Sequence, residues 1–175
     1  MIIVFTGNGK GKTTASLGQM VRVLGRGKAA LMIQFIKGPW LAGEDAFGKM
    51  MGIPPEKFEV RKRGLGFVGI LGDKLPIEKH REAARAALAE FVREKESGRW
   101  HLIALDEVNV AVSIGLLVAA EVLEAVKDYP EDRLLLMTGR GAPREFIDVA
   151  DLATEMREIK HPFAEGKKAK STVEF

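Results

Sequence analysis

The sequence predicts an α/β fold with a doubly wound, mostly parallel sheet of about six strands and helices on both of its faces. Short apolar runs alternate with longer amphipathic helical patterns along all 175 residues, as in successive βαβ units. Most of the apolar runs are continuous rather than alternating, which is typical of parallel strands buried on both faces. Neither an internal repeat nor a linker interrupts the alternation, so we expect a single domain over residues 1–175.

Glycine and proline bound the predicted elements. Pro76 begins the longest helix, Gly98 ends it, and Gly25 ends the first helix. Residues 37–55 have neither helical nor strand periodicity, so we expect a long connection there that is either functional or disordered. The predicted strands are 2–5, 29–36, 58–63, 102–105, 134–138 and 153–159, and the predicted helices are 12–24, 76–97, 116–127 and 143–150. A polar tail follows from residue 161.

Composition excludes several classes of function. The 27 Lys and Arg against 24 Asp and Glu give a net charge of +3, which is too small to indicate a nucleic-acid partner. The chain contains no cysteine, which excludes disulfides and thiol catalysis and fits a reducing cytoplasm. No apolar run approaches the roughly 18 residues of a membrane span, and no signal peptide is visible. We therefore expect a cytoplasmic protein with neither nucleic acid nor membrane as a partner. The three histidines, at 80, 101 and 161, do not have metal-ligand spacing.

A glycine-rich loop lies between the first predicted strand and the first predicted helix. Its glycines allow backbone N–H groups to converge on phosphate oxygens, and the helix N-terminus adds unpaired donors and a partial positive charge. The usual motif G-x-x-x-x-G-K-[ST] begins with glycine, whereas this chain has Thr6 there, so the loop is one residue tighter. We expect a phosphate-binding P-loop, and hence a P-loop NTPase-like (RecA-like) fold, in preference to a plain connecting turn. The expected phosphate-binding residues are Gly7, Asn8, Gly9, Lys10, Gly11, Lys12, Thr13 and Thr14.

Magnesium is the metal that this loop predicts. The Lys12 ammonium is expected to contact the terminal phosphates, and the Thr13 hydroxyl to bind Mg²⁺. Asp106 and Glu107 follow a buried strand, as a Walker B segment does, so we expect them to reach Mg²⁺ directly or through water. The alternative is an acidic pair that only caps the next turn.

Two further loops are candidate ligand sites. Arg140 lies between two glycines at the carboxyl end of a predicted strand, where it would clamp a phosphate or another ligand unless it is a simple loop arginine. Residues 64–72 combine four glycines with exposed apolar side chains. They predict a mobile, apolar ligand-binding flap, with a loop packed on the core as the alternative.

Seven motifs together make the sequence resemble the P-loop corrinoid adenosyltransferases, the ATP:cob(I)alamin adenosyltransferases of the CobA or BtuR type. The first is TGNGKGKTTA, the tight form of the phosphate loop without the leading glycine. The others are QFIKG at 34–38, GE at 43–44, GF at 66–67, LDE at 105–107, TGRG at 138–141 and KHPF-EGKKA at 160–169. They follow in family order, and the resemblance covers nearly the whole chain.

The resemblance implies transfer of the 5′-deoxyadenosyl group of MgATP to the cobalt of a reduced corrinoid, of the cob(I)alamin or cobinamide type. Triphosphate is released, in adenosylcobalamin synthesis or salvage. Cob(I)alamin is itself a strong nucleophile, so the protein has to supply position and leaving-group stabilisation only. Lys12, Thr13 and Glu107 are then the expected catalytic residues, and Lys37 and Phe67 are expected to contact the substrates. The resemblance further implies an electron donor such as a flavoprotein, and a homodimer.

Two departures from the family pattern affect the corrinoid site. The sequence enters its first strand at once, without the N-terminal extension that helps cover the site in longer members, so we expect a different cap or a more open site. The family commonly has GF-x-W in the apolar loop, where the aromatic side chains help to displace the lower cobalt ligand. Here Phe67 is retained, but Gly69 occupies the tryptophan position, and Trp40 is a candidate substitute.

Two other functions remain open from the residues alone. One is a P-loop NTPase or kinase that cleaves the β–γ bond, with a residue such as Asp106 or Glu107 positioning water or an acceptor hydroxyl. The other is a non-catalytic carrier of nucleotide or corrinoid. The product distinguishes them, because the transferase releases triphosphate, the NTPase releases ADP and phosphate, and the carrier turns over neither ligand.

Overall fold

The protein is described by a computed structural model over residues 1–70, 72–161 and 166, in which six parallel strands form one sheet. The strands are β1 Ile2–Thr6, β2 Ala30–Gln34, β3 Phe58–Lys62, β4 Leu102–Asp106, β5 Leu134–Thr138 and β6 Leu152–Glu155. The helices are α1 Lys12–Leu24, α2 Gly43–Met50, α3 Ile77–Ser97, α4 Val108–Ser113, α5 Ala119–Val126 and α6 Arg144–Val149. The strand order is β3-β2-β4-β5-β1-β6, and every neighbouring pair is parallel. The predicted fold class is confirmed.

Two apolar cores lie on opposite faces of the sheet. Successive residues of each central strand alternate between them, so that Ile33 packs with α3 on one face while Met32 packs with α1 on the other. The same alternation places Phe91 of α3 in the larger core and Met20 of α1 in the smaller one. This two-sided burial explains why the central strands are apolar at consecutive positions.

Two helices were not predicted. The region 37–55 is not a structureless connection, because α2 forms within it, with the Asp45 carboxylate accepting a hydrogen bond from the Ala42 N–H at the first turn. The predicted helix 116–127 is shorter, beginning at Ala119, and α4 precedes it directly after β4. Both missed helices are short, with eight and six residues, which is too few for an apolar period to be evident.

The last strand is also shorter than predicted, because the chain leaves the sheet after Glu155 rather than continuing to residue 159. Met156 remains beside β1, since its N–H donates to Thr6 O at 2.8 Å while its own carbonyl turns toward the phosphate loop. The interpretation of Met156 and Arg157 as strand residues is therefore wrong. In the described part of the chain, no helix is both long enough and apolar enough to cross a membrane.

A network of ion pairs connects the edge strand β3 and the residue that follows it to α3. Glu90 of α3 accepts hydrogen bonds from Arg61 Nη1 at 2.9 Å and from Arg63 Nη2 at 2.9 Å, and Glu94 accepts one from Arg61 at 2.5 Å. Burial acts to raise the pKa of Glu90, but the hydrogen bonds from Arg63 and Arg61 outweigh it and hold the pKa below its ordinary value. The ionised carboxylate is therefore the form that stabilises this edge of the sheet.

We predict that Glu90→Gln lowers the free energy of unfolding at pH 7 by about 2 kcal/mol, since it replaces a charged acceptor that both arginines share by a neutral amide with one accepting oxygen. A lowered pKa means that Glu90 releases its proton more readily in the native state than in the unfolded state. The stabilisation by ionised Glu90 is therefore complete at pH values above the pKa of the unfolded state, and it is lost as the pH falls through the lowered pKa of the native state. Urea titrations from about pH 3 to about pH 7 should show that the free energies of unfolding of the variant and the parent converge at low pH. Glu82→Gln on the exposed side of α3 is the control, and equal losses in both variants would contradict the prediction.

Candidate active site

The candidate site lies where β1, β4 and β5 end. Because these strands are parallel neighbours with β5 in the middle, their carboxyl ends bring Thr6, Asp106 and Thr138 to one edge of the sheet. The glycine-rich loop follows β1 directly and leads into α1 at Lys12. The predicted phosphate loop and the predicted acidic pair are therefore brought together.

The loop is wound tightly around the Lys12 side chain. Gly7 has a φ of +92° and Gly11 a φ of +114°, which are left-handed conformations that favour glycine. The buried Lys12 ammonium donates to Gly7 O at 2.7 Å and to Gly9 O at 2.6 Å. Burial lowers the pKa of Lys12, and the charge of Glu107 offsets part of this effect. A cation is thus held at the centre of the loop.

The backbone after β6 forms one wall of the loop. The Gly9 N–H donates to Met156 O at 2.7 Å. A β-carbon added at Gly9 would lie 2.7 Å from the carbonyl oxygens of both Met156 and Arg157, which leaves no room for a larger residue. The first turn of the loop is therefore shaped by a segment that is distant in sequence, which the glycine pattern alone does not show.

The Asp106 carboxylate is completely buried and has hydrogen bonds on both oxygens. Oδ1 accepts from Thr13 Oγ1 at 2.9 Å and from Thr138 Oγ1 at 2.8 Å, and Oδ2 accepts from Gln34 Nε2 at 3.1 Å. Because the Thr13 hydroxyl uses its proton on Asp106, its oxygen lone pairs remain available to a metal ion.

Glu107 is held differently from its neighbour Asp106. It has a φ of +65°, an uncommon conformation for a residue with a side chain, and its N–H donates to Thr138 Oγ1 at 3.0 Å. Its buried Oε2 has no hydrogen-bond partner among the described residues. Burial, together with the charge of Asp106, raises the pKa of Glu107 to about 7, against the opposing charges of Lys12, Lys37 and Arg140. This carboxylate therefore lines the cleft and has one buried oxygen without a protein partner among the described residues.

A cleft of about 580 Å³ opens above these groups, within the size range of small-molecule sites. Lys37 and Glu44 form an ion pair at its side, and exposed Arg140 lies at its edge. Its lining residues are Asn8, Gly9, Lys10, Gly11, Lys12, Thr13, Thr14, Leu17, Lys37, Gly43, Glu44, Glu107, Arg140 and His161. Basic side chains outnumber acidic ones in this lining, so the cleft suits an anionic ligand.

The metal prediction can be compared with the available donors. Within the described ranges, no cluster of three or more His, Cys, Asp or Glu residues is able to hold a metal ion by itself. Mg²⁺ commonly uses one or two protein oxygens, with water and substrate phosphates completing its octahedron. Thr13 and the unpartnered oxygen of Glu107 beside a phosphate loop fit that donor set.

Most of the predicted site residues line this cleft, but three do not. Gly7 belongs to the loop without lining the cleft, and Asp106 is bonded to Thr13 beneath the cleft floor. Phe67 packs against Trp40 instead, with ring centroids 5.6 Å apart. Sequence reasoning assigned no role to Gln34 or to Glu44. Gln34 is the one polar residue in the apolar run 29–36, which was a usable signal.

Trp40 and Phe67 form an exposed aromatic platform, with 59% and 44% of their surfaces accessible. Two glycines allow the Trp40 ring to sit there: a β-carbon at Gly66 would lie 2.7 Å from Cη2, and one at Gly38 2.8 Å from Cζ3. Part of the predicted flap therefore packs against the segment after β2. Leu71, which also belongs to the predicted flap, lies outside the described residues, as does most of the KHPF-EGKKA motif.

Comparison with known proteins assigns the chain to a family. The family model for ATP:corrinoid adenosyltransferase BtuR/CobO/CobP matches residues 1–175. The chain belongs to this family. The resemblance inferred from the motifs is confirmed, and adenosyl transfer is favoured over the NTPase, kinase and carrier alternatives.

Named relatives from this adenosyltransferase family match the chain over its whole given length. The chain is 34% identical over 175 residues to the corrinoid adenosyltransferase of Escherichia coli (strain K12), covering 100% of this chain and 85% of that protein. It is 36% identical to the corrinoid adenosyltransferase of Pseudomonas aeruginosa, covering 83% of that protein. The corrinoid adenosyltransferase CobA of Salmonella typhimurium is 34% identical, with 85% of its length covered.

We predict that Gly9→Ala destabilises this adenosyltransferase by about 1–3 kcal/mol, as overpacking does, and weakens ATP binding because the loop has to move away from the wall. Gly18→Ala is the control: a β-carbon there meets nothing within 4 Å. Alanine within α1 should raise stability by about 0.5–1 kcal/mol. Urea unfolding and ATP titration measure both effects, and parent-like stability and affinity in Gly9→Ala would contradict the steric argument.

Proposed function

We propose that this protein transfers the 5′-deoxyadenosyl group of ATP to the cobalt of a reduced corrinoid and releases triphosphate. The membership of the family supports the reaction, and the combination of a phosphate loop with an exposed aromatic platform supports the two substrates. The observation on which the proposal chiefly depends is the buried Lys12 ammonium at the centre of the loop, beside the Thr13–Asp106 pair. In the reaction the cobalt–C5′ bond forms, the C5′–O5′ bond breaks, and its electron pair leaves with the triphosphate.

The residues of the loop bind and neutralise the triphosphate. Lys12, Lys37 and Arg140 are the cations that we assign to its oxygens, and backbone N–H groups of residues 10–14 supply further donors. Negative charge on the leaving group grows as the C5′–O5′ bond breaks, so these contacts strengthen in the transition state. No protein nucleophile is required, since the reduced cobalt is the nucleophile.

We assign Mg²⁺ to Thr13 and Glu107, with Asp106 as a positioning residue. Both Asp106 oxygens are engaged by protein donors, whereas the Thr13 lone pairs and Glu107 Oε2 are available. When bound, Mg²⁺ supplies positive charge against the triphosphate oxygens. Asp106 then acts by fixing the direction of the Thr13 hydroxyl.

We assign the aromatic platform to the corrinoid, with Phe67 on the side of the lower axial ligand. An aromatic surface in that position excludes water and a competing ligand from the cobalt. Trp40 supplies a second ring from the segment after β2, which compensates for Gly69 at the family's tryptophan position. Three proposals rest on the family pattern and the composition alone: a cytoplasmic location, an external electron donor such as a flavoprotein, and a homodimer.

The reaction is tested by incubating the purified protein with MgATP and chemically reduced cobalamin. We expect equimolar adenosylated corrinoid, followed by absorbance, and triphosphate, followed by ion chromatography. Lys12→Ala should lower kcat/KM by more than it lowers ATP affinity, because a charge-assisted contact worth about 1.5–3 kcal/mol strengthens in the transition state.

Lys79→Ala, on the exposed face of α3, is the matched control, since it removes the same charge away from the cleft. ADP and phosphate as the products would contradict adenosyl transfer. Full activity in Lys12→Ala would contradict the assignment of the loop.

For the platform, we predict that Phe67→Ala leaves ATP affinity within about twofold of the parent while impairing formation of four-coordinate Co(II) corrinoid, because water regains the lower face. Activity from Co(II) should therefore fall more than activity from pre-reduced Co(I). Electron paramagnetic resonance measures the four-coordinate fraction, and Val149→Ala on α6 controls for loss of exposed apolar surface. Equal losses from the two starting states would mean that Phe67 only packs the loop.

A further inference from the structure

Gln34 is a fully buried polar residue at the carboxyl end of β2. Its register partner on the neighbouring strand is Asp106. Its Nε2 donates to Asp106 Oδ2 at 3.1 Å and to Glu44 Oε1 at 3.3 Å, so one amide group contacts two carboxylates. Its Oε1 has no hydrogen-bond partner among the described residues.

The two carboxylates determine the orientation of this amide. A carboxamide has one end that donates and one that only accepts, and a reversed Gln34 would direct Oε1 at two negatively charged groups. The observed orientation instead leaves Oε1 without a partner among the described residues, and an unpaired buried acceptor is destabilising. The contacts to Asp106 and Glu44 must outweigh that destabilisation, so they are the interactions that hold the amide in this orientation.

Glu44 connects this amide to the cleft. Its Oε1 accepts from Gln34 and also from the Lys37 ammonium, which lines the cleft beside the phosphate loop. Asp106, on the other side of the amide, accepts from the Thr13 hydroxyl. A continuous series of contacts therefore runs from Lys37 to Thr13 through one neutral side chain.

We propose that Gln34 is a positioning residue that couples the Lys37–Glu44 ion pair to the Asp106–Thr13 pair. When a phosphate draws Lys37 away, Gln34 is the remaining side-chain donor to Glu44 among the described residues, beside a backbone N–H, and the same amide group holds Asp106 in place for Thr13. Phosphate contact at Lys37 and Mg²⁺ binding at Thr13 then depend on each other. The inference rests on the proposed function, because that function places triphosphate and Mg²⁺ in this cleft.

The test measures ATP affinity by titration calorimetry with Mg²⁺ and again with EDTA, and the ratio of the two affinities is the magnesium gain. Gln34→Met keeps the volume of the side chain and removes its donor. We expect it to reduce the magnesium gain about tenfold, the effect of one hydrogen bond to a charged group, and to change the affinity in EDTA by less than about twofold. An unchanged magnesium gain, or equal losses with and without Mg²⁺, would overturn the proposal.

A double-mutant cycle separates coupling from simple support of Asp106. Glu44→Gln combined with Gln34→Met should show at least about threefold non-additivity in the magnesium gain. Thr138→Val is the matched control, since it removes another donor to Asp106, and among the described residues Thr138 has no hydrogen bond to Glu44. Its effect on the magnesium gain should be additive with that of Glu44→Gln to within about 1.5-fold. Equal non-additivity in both cycles would overturn the proposed coupling.

A folding check and a second variant distinguish loss of coupling from loss of the fold. Circular dichroism melting shows whether Gln34→Met folds. If it does not, Gln34→Asn retains the amide but is too short to reach both carboxylates, and it should reduce the magnesium gain in the same direction. The calorimetry needs no corrinoid, so a parent protein that shows the coupling but makes no adenosylated product would contradict the proposed function alone.

Discussion

The buried carboxylate of Asp106 is the constraint on which the site depends. Removing a charge from water costs several kcal/mol unless hydrogen bonds replace the lost hydration. Three donors do so here, and they come from the start of α1, the end of β2 and the end of β5. Their convergence requires that these strands end at one level, so the register of the sheet and the geometry of the site are specified together.

The tight phosphate loop has an explanation in the segment that follows β6. Met156 and Arg157 leave the sheet and pack against the backbone of Gly9, where no side chain fits. Thr6 is still paired within the sheet at the end of β1, and its hydroxyl accepts from the Ala142 N–H at 3.2 Å. A threonine at the position of the usual leading glycine is thus part of the packing at this edge.

Local patterns predicted the features that local forces determine. The central strands and α3 were predicted because a run of buried apolar residues or a long amphipathic stripe is visible in sequence. The helix α4 was missed because its N-cap residue, Glu107, has a left-handed conformation, which no propensity indicates. The end of β6 was missed because Met156 leaves the sheet for a contact with Gly9, about 150 residues away in the chain.

The same distinction holds for the site, where local patterns predicted the residues but not their partners in the protein. Those partners affect how the cations of the cleft interact with a bound anion. Lys12 and Lys37 were predicted as cations, but their partners in the protein were not: loop carbonyls for Lys12, and Glu44 for Lys37. In the function that we propose, a triphosphate has to compete with those partners, which reduces the net gain in free energy when ATP binds in the ground state. As charge grows on the leaving group, the phosphate becomes the better partner and the carbonyls do not change. Under this proposal, internal pairing of the cations shifts their contribution from binding ATP toward stabilising the transition state, which is where it increases the rate.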